Sequence, residues 1–259
     1  MAFWKRKDTS SGANGDFDLS ARPYAVLKDV SLELGDRLVL ENVSLRLCES
    51  RVGIVGLNGS GKSSLVRLLN GLRLPTSGEV RIFGAATTAA RFELPRHVGF
   101  VFQNPDHQAI FPTVEEEIAF GLSQLGAEKI EARTQALAFL EQHHCGHLTQ
   151  KPFTELSEGQ KQLICLLAVL VMDPKLLVLD EPMSSLDGLA TRRIFRKLEG
   201  LDQKIIMISH DLSLLKEFDR VIWLESGRVR MDGVPEDVLP AYDADINCRA
   251  EADYSGEVL

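Results

Sequence analysis

The chain has 259 residues, enough for one large domain or two small ones around a sizeable core. Apolar residues make up 44% and charged residues 25%, the balance of a soluble globular protein. The net charge of −8 disfavours nucleic acid as the main partner, and the longest apolar run, residues 163–172, is too short to cross about 30 Å of hydrocarbon.

Residues 1–22 are polar, lack the apolar stretch of a secretory signal, and are expected to be a flexible lead-in whose Lys5, Arg6 and Lys7 are solvated. Apolar residues then alternate at Val26, Val30, Leu32 and Leu34, and again from Leu38 to Leu47, with Gly35-Asp36 between. That pattern predicts a hairpin with one buried face. VGIVG is a short strand apolar on both faces that runs into a Gly-rich turn and the helix SSLVRLLNGL. A strand, glycine loop and helix in succession indicate an α/β arrangement with parallel strands. Further strands are predicted at EVRIF, HVGFVF, KLLVL, KIIMIS and RVIWL, the last paired with GRVRM. Residues 113–172 form a helix-rich insertion, 23–240 make up the main domain, and 241–259 are expected to be an acidic tail without periodic structure. The cysteines, Cys48, Cys145, Cys165 and Cys248, show no metal-ligand spacing and read as free thiols of a reducing compartment. His143, His144 and His147 likewise match no ligand motif and read as solvated helix-end histidines.

GLNGSGKS (56–63) matches the phosphate-binding loop in its required context between strand and helix. Backbone N–H groups of Asn58, Gly59, Ser60 and Gly61 can turn inward around an anion, and the following helix, from Ser63 and Ser64, adds its N-terminal dipole. In such a loop Lys62 reaches the β- and γ-phosphates and the Ser63 hydroxyl can hold Mg²⁺. KLLVLDEP places Asp180 and Glu181 at the carboxyl end of an apolar strand, where ligands of parallel sheets bind. Asp180 fits the metal side and Glu181 is placed to polarise an attacking water. Ser157 is a good N-cap for the helix that LSEGQKQ opens, which presents Ser157, Gly159 and free N–H groups to a second anion.

With Gln103 at the end of HVGFVF, His210 in IIMISHD and Asp187 in MSSLD, the ordered motifs resemble the ATP-binding cassette family. The resemblance implies a P-loop NTPase fold with an antiparallel β subdomain and a helical insertion. It implies head-to-tail pairs, in which the signature residues Ser157, Glu158, Gly159 and Gln160 serve the partner's ATP and Asp187 crosses the interface. Gln103 would complete the Mg²⁺ shell with Ser63 and Asp180, and Glu181 and His210 would carry catalysis. FQNPDHQAIFPTVEEEIAFG is similar to the ATPase subunits of energy-coupling-factor importers, where this segment forms the groove for a membrane partner's coupling helix. The implied protein is an ATPase peripheral to the cytoplasmic side of the membrane, homodimeric with ATP, its cargo biotin or, second, cobalt or nickel. Two rivals are a mechanical cassette ATPase acting on DNA or the ribosome and a P-loop kinase of small molecules. The chain departs from the family at Glu158, where Gly is usual, and at Leu34, where an aromatic residue usually stacks on adenine; Tyr24 is the alternative stacker.

Overall fold

A computed structural model describes residues 17–254. Strands β1 (Ala25–Leu34) and β2 (Arg37–Leu47) form the expected hairpin, closed by Gly35 at φ 60°. Strand β3 (Arg51–Val55) runs through the glycine loop into α1 (Lys62–Leu69). β4 (Ser77–Ile82) and β5 (Ala85–Ala86) extend the hairpin to a four-stranded antiparallel sheet of order β2-β1-β4-β5. A short α2 (Thr87–Ala90) leads to β6 (Val98–Val101). The insertion then supplies α3 (Val114–Gln124), α4 (Lys129–Gln142) and α5 (Glu158–Leu170). After it come β7 (Leu176–Asp180), α6 (Gly188–Glu199), β8 (Lys204–Ile208), β9 (Arg220–Glu225), β10 (Arg228–Gly233) and α7 (Pro235–Tyr254).

The second sheet has the order β10-β9-β3-β8-β7-β6, parallel throughout except for β10. Its inner strands are apolar on both sides because both faces are covered. Val55, Leu177 and Leu179 face a core shared with α5, α6 and α7. Val52, Ile54, Leu176 and Val178 face α1 and the antiparallel sheet. Two-sided cover leaves the carboxyl edge of the sheet as its open surface, and the chemistry-bearing residues gather there.

Three stretches differ from the sequence reading. Residues 1–16, with Lys5, Arg6 and Lys7, lie outside the described residues, but the rest of the expected lead-in is docked. The Asp18 amide donates to the Phe83 carbonyl at 2.8 Å, and the Phe17 ring lies 4.4 Å from that of His97. Helix α6 was not predicted; its buried side is only Ile194 and Leu198. Instead of an aperiodic acidic tail from 241, α7 continues to Tyr254. Its buried side chains include Val238, Leu239 and Tyr242, and its acids meet arginines: Asp245 accepts from Arg230 at 2.9 Å and from Arg249 at 2.7 Å. Those pairs offset the local charge that makes the segment read as a tail.

Candidate functional site

The glycine loop is shaped by crowding. A Cβ on Gly56 (φ 150°) would stand 2.2 Å from the Leu224 carbonyl oxygen, and one on Gly61 (φ 103°) 2.9 Å from the Val39 carbonyl oxygen, so neither position takes a side chain. Leu57, Asn58 and Gly59 form the exposed tip. Ser60 turns inward, and its buried hydroxyl has no hydrogen-bond partner among the described residues. Lys62 is 5% exposed, and its ammonium donates to the carbonyls of Gly56 (2.8 Å) and Leu57 (3.1 Å). Burial lowers the Lys62 pKa, and the nearby Glu181 and Asp180 carboxylates oppose that shift. Ser63 and Ser64, half-buried, open α1.

β7 delivers the carboxylates. Asp180 is buried, accepts from the Ser63 hydroxyl at 2.9 Å and lies 3.7 Å from Arg67. Burial raises its pKa; the Ser63 hydrogen bond and Arg67 pull it back. Glu181 has a left-handed backbone at φ 51°. One of its oxygens accepts from Gln103 Nε2 at 3.1 Å; the other lies 3.0 Å from His210 Nε2. The sheet order explains the meeting. Gln103 follows β6, Glu181 follows β7, His210 follows β8 and the loop follows β3, four adjacent parallel strands. A carboxylate with a water-accessible imidazole on one oxygen can accept a proton, and the loop's inward amides, Lys62 and α1 can hold a polyphosphate.

The second group lies at the start of α5. Ser157 and Gln160 form a reciprocal capping box: the Ser157 hydroxyl accepts from the Gln160 amide at 3.4 Å, and the Ser157 amide donates to Gln160 Oε1 at 3.0 Å. A Cβ on Gly159 would stand 2.9 Å from the Ala190 Cβ, so glycine there also lets α6 pass close by. Glu158 is turned onto Lys161, 3.1 Å away; Lys161 in turn donates to Asp106 at 2.9 Å. Asp187 caps α6, accepting from the amides of Leu189 (2.9 Å) and Ala190 (2.8 Å).

The segment after Gln103 is braced internally. The Asn104 side chain accepts from the Asp106 amide at 2.9 Å, and Gln108 donates to the Cys165 carbonyl of α5 at 2.9 Å. Ile110, 70% exposed, is the large apolar residue this segment leaves uncovered. Tyr24 is 1% exposed inside the antiparallel sheet's core, so it cannot stack on a base. His143 is not solvated: its Nδ1 lies 2.9 Å from the Lys197 ammonium. Arg67 and Lys161 were missed; both sit one helical turn beyond a motif residue, at i+4 from Ser63 and from Ser157, a spacing that could have flagged them.

Residues 40–184 match the model of the ABC transporter family. The chain is 44% identical over 223 residues to the biotin transport ATP-binding protein BioM of Rhodobacter capsulatus, covering 86% of this chain and 95% of that protein. It is 40% identical over 213 residues to the energy-coupling factor transporter ATP-binding protein EcfA of Syntrophomonas wolfei, with 80% and 78% covered. The fold superposes on that of CbiO1 from Clostridium perfringens, part of the ABC transporter complex CbiONQ, with a TM-score of 0.75 and 28% identity, over 92% of this chain and 100% of that one.

Proposed function

The chain belongs to the ABC transporter ATPase family, and from that premise we propose that it is the ATP-hydrolysing subunit of an energy-coupling-factor importer whose cargo is biotin. The observation that carries the ATPase part is the chain of contacts at the sheet's carboxyl edge, Ser63 to Asp180 and Gln103 to Glu181 to His210. The importer and its cargo follow from the 44% identity to BioM. Among the described residues no helix is long and apolar enough to cross a membrane; in this reading membrane subunits provide the path and the chain attaches to them peripherally. Residues 103–111, with Ile110 exposed, form the proposed docking side.

Each residue then has a task. Loop amides and Lys62 hold the β- and γ-phosphates of ATP, the Lys62 ammonium exchanging its two carbonyl acceptors for phosphate oxygens. The orphaned Ser60 hydroxyl sits inside the same loop and suits an anion's oxygen. The Ser63 hydroxyl, Asp180 carboxylate and Gln103 carboxamide form an all-oxygen donor set that fits Mg²⁺. Bound there, the ion would offset phosphate charge. Glu181 accepts the proton of the water that attacks the γ-phosphorus as the bond to the ADP oxygen breaks. His210 orients that carboxylate. Ser157 and Gly159 face the γ-phosphate held by a second copy, with Asp187 at the seam. Because Tyr24 is buried and Leu34 is aliphatic, the phosphates supply most of the affinity.

The test is uptake of labelled biotin by vesicles holding this chain with its membrane partners. Lys62→Ala should abolish uptake and weaken ATP binding at least tenfold, while cobalt and nickel uptake stay at background. Uptake of the metal ions instead of biotin would change the cargo; ATP hydrolysis unaffected by any membrane partner would remove the importer role.

A further inference from the structure

Helix α5 opens with Glu158 and places Lys161 three residues later, on the same face. The Lys161 ammonium is bound on two sides. It donates to Glu158 Oε1 at 3.1 Å and to both oxygens of Asp106, at 2.9 and 3.2 Å. The Lys161 side chain is 11% exposed, whereas those of Asp106 and Glu158 are each 52% exposed. One covered cation thus serves two acids that solvent or a partner can reach. Asp106 is brought there by its backbone as well as by its charge. Its turn is fastened to α5 by Gln108, which donates to the Cys165 carbonyl at 2.9 Å, and by the Cys165 thiol, which donates to the Pro105 carbonyl at 3.7 Å. Two carboxylates against one ammonium leave a net negative charge beside the helix start that, in the head-to-tail reading, meets a second copy's γ-phosphate.

We propose that Lys161 is a positioning residue for the paired state: its ammonium holds the Glu158 carboxylate off the incoming phosphate, and Asp106 competes for the same ammonium, so the docking segment sets how well Glu158 is masked. A carboxylate left free at this point would face a phosphate across the interface, and like charges brought together there cost affinity. Lys161 both neutralises Glu158 and fixes where its oxygens lie. An ammonium shared between two acids does this less completely than one that serves Glu158 alone. Taking Asp106 away, by substitution or by a cationic group of a docked partner, therefore strengthens the mask and favours capture of the second copy. The inference rests on the paired-site reading above.

The experiment measures the dimer dissociation constant of the full chain with Mg-ATP by sedimentation equilibrium, every chain bearing Glu181→Gln to block turnover. Lys161→Met keeps the apolar stem but loses the charge, and should weaken pairing about tenfold or more. Lys161→Arg should pair within about twofold of the reference. Asp106→Asn should tighten pairing about two- to fivefold. In a Glu158→Gly background there is no carboxylate to mask, so Lys161→Met should change pairing by less than about twofold, a non-additivity that a purely structural lysine would not give. An equal loss from Lys161→Met with and without Glu158 would overturn the assignment, as would unchanged or weaker pairing in Asp106→Asn. Where Lys161→Met lowers Tm, the Asp106→Asn arm still decides. Failure of the Glu181→Gln reference chain to pair with Mg-ATP would instead overturn the paired-site reading itself.

Discussion

Glu181 holds a backbone conformation that costs a non-glycine residue about 1 kcal/mol or more, and strain of that kind collects at functional sites. It aims the carboxylate so that Gln103 and His210 take one oxygen each. Glu181→Gln keeps the shape and an acceptor for Gln103 but loses the base. Phosphate release should fall about 10²-fold or more with ATP binding retained; near-normal turnover would take Glu181 out of the base role. At Glu158, the departure from the family's glycine, Lys161 draws the carboxylate aside. The same ammonium holds Asp106, so the signature end of α5 and the segment after Gln103 share one cation.

At the scale of elements, α4 meets α6 through His143 and Lys197. Burial and the adjacent ammonium push the His143 pKa down to about 4 from an ordinary 6.5. The unfolded chain therefore binds that proton more readily, and the junction's contribution, complete above pH 6.5, is lost as pH falls towards 4. Partial exposure and solvent screening hold the effect to about 1 kcal/mol. Urea midpoints at pH 7.5 and 5 should converge by that amount in His143→Gln relative to wild type; identical pH dependence would exclude the pair. The sequence made this site legible because its parts are local: a glycine loop, a strand ending in Asp-Glu, a capped helix. The parallel strands were legible because two-sided burial writes continuous apolar runs. α7 was not, since Pro240 and its acids mask the single apolar turn, and the arginine that balances Asp245 from outside the helix, Arg230, lies on β10.

At the scale of the whole molecule, one chain carries both halves of the proposed nucleotide site: Lys62 at the start of α1 with Asp180, Glu181 and His210 at the sheet edge, and Ser157 and Gly159 at the start of α5. A two-fold pair of identical chains would complete two sites without a different cassette. Chains bearing Glu181→Gln, which blocks turnover, should shift to dimer mass in solution with Mg-ATP. Adding Ser157→Arg should prevent this, whereas Ser157→Ala, which loses the cap at a cost of about 1 kcal/mol but adds no bulk, should still pair. Monomers at high concentration, even with the membrane partners present, would exclude the homodimer. Equal pairing by the arginine variant would show that α5 does not face the partner's ATP.

The strand order carries a consequence for synthesis. β3, which launches the phosphate loop, sits between β8 and β9, and Arg51 finds its register partner at Ile205. A growing polypeptide that emerges at ~5–20 residues per second therefore leaves β3 without either neighbour for about 10 s or more. Until then its apolar faces are open to chaperones, and the loop lacks its floor. Nucleotide capture therefore waits for β8 and β9 to emerge, so a ribosome stalled within the helical insertion should display a finished glycine motif that does not yet bind.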